Sequence, residues 1–250
     1  MIECRSKYYR TRLETEEDKA VYDCILDGMR NIKEEIRIDD ALFPSYRTPL
    51  TVILDYVLLD NPGLFYVDTG ELYIQTSPWR GVIVKYRFPE KEIARIEAKL
   101  LAAVYHVIAA AAGSRLTLDQ TEQFLHDFLA LNVTYEHDDH TYHKAHSILG
   151  PIMHGRSVCE GYAKAFKLLC DAAGISCIVI CGDAGDPVTG EYGGHAWNVV
   201  KINGRCLHVD VTWDSCIRTP DHLPHQYYNL SDAEMAADHK WDRSLMPVCP

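Results

Sequence analysis

A pair of short strands joined by a tight turn constrains the fold more than any other feature of this sequence. The stretches from His195 to Ile202 and from Arg205 to Thr212 are each predicted to form a strand. Asn203-Gly204 lies between them and is the strongest signal for a two-residue type I′ turn. This turn sets Ile202 opposite Arg205 and His195 opposite Thr212. The chain is therefore expected to build part of its core on an antiparallel hairpin.

One face of this hairpin carries several side chains that could do chemistry. By strand alternation the face consists of His195, Trp197, Val199, Cys206, His208, Asp210 and Thr212. His195 and Asp210 become diagonal neighbours about 7–8 Å apart, and a carboxylate beside an imidazole fixes its tautomer and stabilises its charged form. Asp214 lies on the other diagonal and His208 is a second candidate base. Buried histidine–carboxylate pairs are also common in structural networks, so the pattern alone leaves these alternatives open.

A second segment, residues 155–174, places a cysteine at the start of a helix. Phe166, Leu169, Cys170 and Ala173 form an apolar stripe, and Gly174 supplies the residue that closes the helix. The polar turn before Val158 puts Cys159 at or within the first helical turn. Unpaired backbone N–H groups there favour a thiolate and can donate to an oxyanion. Most cysteines are small buried hydrophobes, an interpretation that fits Cys170, but the position of Cys159 favours a nucleophile.

Size, charge and cysteine usage exclude several classes of protein. The chain has 250 residues, 47% of them hydrophobic and 24% charged, as in an ordinary globular protein. A formal net charge of −11 argues against a general binder of nucleic acid or anionic membrane. Nine irregularly spaced cysteines fit reduced thiols. With no secretion signal and no apolar run of about 18 residues, a cytoplasmic location without a membrane span is expected, although a signal removed earlier would leave no trace.

The chain is predicted to consist of an N-terminal α+β region and a second region, the core that carries the candidate catalytic residues. Residues 1–89 combine helices with short strands and carry no reactive constellation, so their role is unassigned. The boundary is placed near Phe88-Pro89, and residues 90–250 form the second region. A long alanine-rich helix is expected over 91–112, ending at Gly113 in a left-handed cap, followed by a helix that Thr117 and Gln120 open as a capping box.

Two polar stretches flank these segments. His137, His140, His143 and His146 recur every three residues, a spacing that matches neither a zincin nor a zinc finger. A solvated loop is therefore favoured over a metal site, and no cofactor motif is predicted. The glycine-rich stretch at 182–194 is read as a long loop before His195, either a movable cleft wall or a simple turn.

Three sequence blocks resemble those of one family. They are Val158-Cys159-Glu160-Gly161-Tyr162-Ala163, Gly194-His195-Ala196-Trp197-Asn198-Val199 and His208-Val209-Asp210-Val211-Thr212-Trp213-Asp214. In this order they are similar to the transglutaminase-like superfamily, in particular its bacterial members assigned as cysteine peptidases, over about 118–241. The resemblance implies an α+β, papain-like fold, with a nucleophile helix packed on an antiparallel sheet.

The resemblance also orders the candidate site residues. It implies Cys159 as nucleophile, selects His195 over His208 as the base, and selects Asp210 over Asp214 as the orienting acid. Tyr135 matches an aromatic residue that helps related enzymes stabilise an oxyanion. Trp197 is a further candidate for oxyanion or substrate contact.

The expected activity is cysteine-dependent acyl transfer. Hydrolysis of an amide or peptide bond through a thioester is preferred, because water is always available. Transamidation, a binding module on the same fold and, more weakly, a metal sensor built on the histidine run are the alternatives. The expected partner is a peptide or protein substrate, with cell-wall peptides among the candidates.

Overall fold

A computed structural model describes residues 6–42, 46–138 and 143–250. The chain divides into two compact units, Met1–Lys99 and Leu100–Pro250. This division lies further along the chain than the boundary expected near Phe88-Pro89, and the predicted domain bounds stay a prediction.

The first unit combines helices with a three-stranded antiparallel sheet of order β1-β3-β2. Its elements are α1 (Tyr8–Arg12), α2 (Glu16–Arg30), β1 (Glu35–Arg37), α3 (Leu50–Asp60), β2 (Val67–Gln75) and β3 (Gly81–Tyr86). Thr15 caps α2 by accepting from the backbone N–H of Asp18, because the first turn of a helix has N–H groups with no partner inside the helix.

Helix α4 (Glu90–Gly113) is long and exposes much of its surface. An 18-residue stretch of it has a mean hydropathy of 1.4 and is 17% buried, so by length and composition alone it could cross a membrane. One such helix is weak evidence for a span. The left-handed residue after it is Arg115, with φ 52°, rather than the predicted Gly113, because the helix continues through the glycine.

The second unit is built on a five-stranded antiparallel sheet of order β10-β6-β7-β8-β9. The remaining elements, in chain order, are α5 (Leu118–Asn132), β4 (Thr134–Tyr135), β5 (Arg156–Ser157), α6 (Cys159–Ala173), β6 (Ser176–Asp186), β7 (Glu191–Ile202), β8 (Arg205–Val209), α7 (Val211–Cys216), β9 (Tyr228–Leu230), α8 (Asp232–Met235) and β10 (His239–Lys240). Strands β4 and β5 pair in parallel outside the main sheet.

The predicted hairpin register is correct from Ile202↔Arg205 to Asn198↔Val209. Beyond that point the expected returning strand is wrong, since β8 ends at Val209 and α7 begins at Val211. Asp210 ends the strand because its side chain accepts from the backbone N–H groups of Thr212 and Trp213, as an N-cap does.

The predicted loop before His195 is also wrong, because β6 and β7 pair continuously from Ser176↔Lys201 to Asp186↔Glu191. Two of its glycines, Gly182 and Gly185, allow close packing instead. A Cβ at Gly185 would lie 2.0 Å from the carbonyl oxygen of Glu191. His195 therefore stands inside a regular strand, which holds its backbone rigidly.

Helix α6 packs on β6 and β7, and its apolar face is buried there. Asn198 ties the layers together, because its side-chain amide donates to the carbonyl oxygens of Ala163 in α6 (3.0 Å) and Ile178 in β6 (3.1 Å). Lys167 is also buried and donates to Asp171 (3.0 Å) and to the carbonyl oxygen of Cys177 (2.9 Å). The start of α6 is thereby fixed relative to the strand that carries His195.

Candidate active site

Cys159 is the first residue of α6. The N-cap residue is Val158, which has an extended backbone and no side chain that could bond the first-turn amides. The thiol is half-buried and forms no disulfide. Backbone N–H groups of the first turn therefore surround the sulfur with partial positive charge and remain as donors for an anion, as expected from the sequence.

Tight packing fixes this first turn. A Cβ at Gly161 would lie 2.2 Å from the carbonyl oxygen of Ala145 and 2.3 Å from Oγ of Ser157. Ser157 in turn donates to the carbonyl oxygens of Ala145 (3.0 Å) and Val158 (2.9 Å). Only glycine allows the helix to approach this loop so closely, and the position of the thiol depends on that approach.

His195 joins the thiol to a buried carboxylate. The Cys159 side chain lies close enough to the ring to raise the pKa of His195. Nε2–H of His195 donates to Oδ2 of Asp210 at 2.7 Å, so Nδ1 is the ring nitrogen that remains available to the sulfur. Burial opposes charge on the ring, but the Asp210 carboxylate and the Cys159 side chain outweigh this and raise the pKa of His195 to about 10. The imidazolium is thus the form that this environment favours at neutral pH.

Asp210 is fully buried and both of its oxygens are engaged. Oδ1 caps α7, whereas Oδ2 accepts from His195 and, at 3.3 Å, from Nε2 of His239. Burial favours the neutral acid, but the charge of His195 and the two histidine hydrogen bonds hold the pKa of Asp210 well below its usual range. The residue is therefore a fixed anion.

The two rival residues belong to other networks. Asp214 is fully buried one turn along α7, where it bonds Nε2 of His126 (3.1 Å) and accepts from the backbone N–H groups of Gln226 and Tyr227. His208 accepts the indole N–H of Trp197 at Nδ1 (3.1 Å) and donates from Nε2 to Asp232 (2.9 Å). Neither replaces Asp210 or His195 in the geometry around Cys159.

Two indole rings enclose the imidazole of His195. Trp197 is stacked beside it with ring centroids 6.0 Å apart and is 1% exposed, while Trp213 lies 5.7 Å away. The N–H of Trp197 is engaged by His208, so this residue supports the imidazole from behind instead of offering a donor to an oxyanion. Apolar walls of this kind strengthen the ion pair by excluding water.

Tyr135 lies where the cleft opens. It pairs with Ser157 across the short parallel ladder of β4 and β5, two residues before Cys159. With His195, Trp213 and Cys216 it lines a cavity of about 310 Å³. The structure thus brings Tyr135 to the same cleft as the histidine, as an oxyanion or substrate role requires.

The predicted histidine run is only partly described. The side chain of His137 packs against the ring of Tyr135 with centroids 5.1 Å apart, and Nδ1 of His146 lies 2.9 Å from Oε2 of Glu160. His140 and the side chain of His143 lie outside the described residues. Whether the run binds a metal stays a prediction.

Sequence reasoning missed His239, which lies on β10 and shares Oδ2 of Asp210 with His195. It contacts Asp238 through Nδ1 at 2.6 Å and packs against the rings of Trp213 and Trp197. No local pattern marks it, because its partner is 29 residues away in the sequence and the strand that positions it has two residues.

Comparison with known proteins finds a family similarity within this unit. Residues 107–211 match the family model described as the transglutaminase-like superfamily, a range that contains Cys159, His195 and Asp210. This part of the chain matches the superfamily that the sequence blocks resemble, and the α+β fold class, with a helix packed on an antiparallel sheet, is confirmed.

Individual relatives match a smaller share. Kyphoscoliosis peptidase from Mus musculus and the same protein from Homo sapiens are each 39% identical over 64 residues, covering 23% of this chain. The match covers 10% of the length of each of these relatives.

Two solved structures are also similar. A candidate cysteine protease from Cytophaga hutchinsonii has a TM-score of 0.37 at 22% identity and covers 46% of this chain and 37% of that one. A structure described as a TGase has a TM-score of 0.38 at 14% identity and covers 78% of this chain and 52% of that one.

Proposed function

We propose that the second unit is a cysteine-dependent acyl-transfer enzyme that hydrolyses amide or peptide bonds. The observation that carries this proposal is the chain of contacts from Cys159 at the head of α6, through His195, to the buried anion of Asp210. A thiol, an imidazole and a carboxylate in this order form an activated nucleophile with its base and orienting acid.

The reaction begins from a thiolate–imidazolium pair. The sulfur of Cys159 attacks the acyl carbonyl carbon and the carbonyl oxygen becomes an oxyanion, to which first-turn N–H groups of α6 donate. His195 gives its Nδ1 proton to the leaving amine as the C–N bond breaks, which leaves a thioester on Cys159. Asp210 holds the ring throughout. Tyr135 lines the same cavity as His195, which supports a role for it as a further donor to this oxyanion.

Water completes the cycle. The neutral imidazole of His195 accepts a proton from water, the resulting hydroxide attacks the thioester, and the carboxylic acid leaves as the sulfur recovers its electron pair. An amine in place of water would give transamidation by the same steps. A peptide or protein substrate follows from this chemistry.

The experiment is intact-mass detection of a covalent adduct with a peptidyl chloromethyl ketone. We expect one adduct per chain on the native protein, none on Cys159→Ala, and an unchanged adduct on Cys181→Ala, which removes a different exposed thiol. His195→Ala should slow the labelling of Cys159. Equal modification of several thiols, or an adduct that survives in Cys159→Ala, would leave a binding module on this fold as the better explanation.

Hydrolysis and transamidation are then separated by product analysis. Incubation of an internally quenched peptide with a large excess of a primary amine should give mainly the free acid. Amine-linked product as the major species would replace hydrolysis by transamidation, with the same three residues.

A further inference from the structure

Three cavities of the second unit lie next to one another along α7. Their volumes are about 310, 370 and 380 Å³. Tyr135 and Cys216 line both the first and the second cavity, and Arg218 lines both the second and the third. These three adjacent cavities, here together called the α7 cleft, extend from His195 at one end to Leu131 at the other.

The lining of the α7 cleft has an unusual charge for this protein. The chain carries a formal net charge of −11, yet among the described residues no aspartate or glutamate lines these three cavities. Arg218 is the one lysine or arginine among them, and His137 is the other basic residue beyond His195. A negatively charged group entering the cleft therefore meets attraction and no facing carboxylate.

Arg218 is held in place without having its charge neutralised. It follows Ile217, the C-cap of α7, is half-buried, and donates from Nη1 to the carbonyl oxygen of Ala130 near the end of α5. Within the part of the chain that the structure describes, no carboxylate pairs with it. A guanidinium has five N–H donors in a planar fork, so most of them remain for a ligand whose two oxygens match that fork.

We propose that Arg218 forms a subsite for a carboxylate of the substrate. This inference rests on the proposed function, because it places the carboxylate relative to the bond that Cys159 attacks. The distance from the reacting end of the cleft to Arg218 follows from the backbone between them. Thr212 lines the same cavity as His195; from Thr212 to Cys216 the helix rises about 1.5 Å per residue, and the two residues from Cys216 to Arg218 add at most about 7 Å. Since an extended peptide covers about 3.3 Å per residue, the carboxylate lies about two to four residues from the scissile bond.

The turnover experiment uses internally quenched alanine-based octapeptides that carry one Glu or one Gln at each position in turn. We expect kcat/KM to favour the Glu peptide over its Gln partner by about tenfold at one position. In Arg218→Gln this ratio should fall close to one, whereas Arg218→Lys should keep part of it. Arg205→Gln removes an equal charge from the exposed far end of the hairpin and should keep the native ratio.

Peptides with a free or an amidated C-terminus distinguish the two sources of the carboxylate. A preference for Glu that is independent of the terminus indicates a side-chain carboxylate, and a preference for the free acid indicates a terminal one. Two results would overturn the subsite and leave the acyl-transfer proposal standing. The first is a native Glu-to-Gln ratio of kcat/KM near one together with no preference for a free C-terminus. The second is a ratio that Arg218→Gln leaves intact.

A binding experiment keeps the two proposals separate. Fluorescence anisotropy of labelled Glu and Gln peptides is measured on Cys159→Ala and on the double variant Cys159→Ala/Arg218→Gln. Tighter binding of the Glu peptide, lost in the double variant, supports the subsite even where no peptide is turned over by the native chain. Equal binding of both peptides by Cys159→Ala argues against it.

Discussion

The indole N–H of Trp197 donates to Nδ1 of His208 across 3.1 Å. The other ring nitrogen of His208 donates to Asp232, so the ring is neutral with its proton on Nε2. A second proton, on Nδ1 of His208, would face the indole N–H of Trp197, so that two donors would oppose each other. Burial, the largest cause, lowers the pKa of His208 despite the opposing effect of Asp232.

This arrangement predicts an acid-sensitive contribution to stability. A histidine with a lowered pKa contributes stability above about pH 6.5, the unfolded value, and loses it as pH falls through the folded pKa. We therefore expect His208→Gln to cost about 1–2 kcal/mol in the free energy of unfolding at pH 8 and less at pH 5. Urea unfolding at both values measures the difference, and an equal cost at both would contradict it.

Asp210→Asn tests the anion beside His195. Asparagine keeps the cap of α7 but removes the charge that raises the pKa of His195 to about 10. The alkaline limb of kcat/KM, expected near pH 10 in the native protein, should move toward about 6.5, with an activity loss of roughly 10²–10⁴-fold. If the alkaline limb of kcat/KM does not move in Asp210→Asn, a group other than His195 titrates there.

The same substitution has a predicted effect on stability. Because the pKa of His195 is raised, the stabilising effect of the pair is fully present below about pH 6.5 and is lost as pH rises through about 10. Breaking a buried pair costs about 3–5 kcal/mol. The gap in unfolding free energy between native protein and Asp210→Asn should thus be largest near pH 6 and should narrow by pH 10, as chemical denaturation can show.

Gly161→Ala tests the packing beneath the thiol. The new Cβ would meet the carbonyl oxygen of Ala145 at 2.2 Å, so the helix or the loop must shift, at a cost of about 1–3 kcal/mol. Labelling of Cys159 by iodoacetamide should slow as well. Gly113→Ala is the control, because nothing lies within 4 Å of its Cβ position and alanine favours a helix; it should be neutral or stabilising.

Glu122→Gln tests a buried acid outside the candidate site. Glu122 is fully buried and contacts Tyr228 and Asn229, and burial, the largest cause, raises its pKa to about 7. The folded chain therefore binds this proton more tightly than the unfolded chain, and native stability falls as pH rises from about 4.5 to 7. Glutamine should raise the unfolding free energy by about 2 kcal/mol at pH 8 and by little at pH 4. An equal change in unfolding free energy at pH 4 and at pH 8 would contradict this prediction.

Much of the candidate site could be predicted from local chemistry. The Asn203-Gly204 turn fixed the register as far as Asn198↔Val209, since turn type and strand pairing are coupled. Gly174, with φ 82°, ended α6 as expected, and the polar turn before Val158 correctly predicted that Cys159 starts this helix. The choice of Asp210 over Asp214 came from the family resemblance, and the strand register alone left both open.

Long-range packing accounts for what sequence reasoning missed. Asp210 leaves the strand because α7 offers amides to cap, and α7 exists because it packs against α5 and α6. His239 reaches Asp210 through β10, whose two residues carry no recognisable strand pattern. Propensity cannot reveal contacts that only the assembled sheet creates.

The cap formed by Asp210 couples assembly to chemistry. One oxygen closes the first turn of α7 while the other orients His195. In a chain in which α7 has not formed, the Asp210 carboxylate has no fixed orientation, and the imidazole of His195 has no aligned hydrogen-bond partner. The alignment of His195 with its carboxylate therefore depends on the completed fold around α7, and a partly folded chain lacks it.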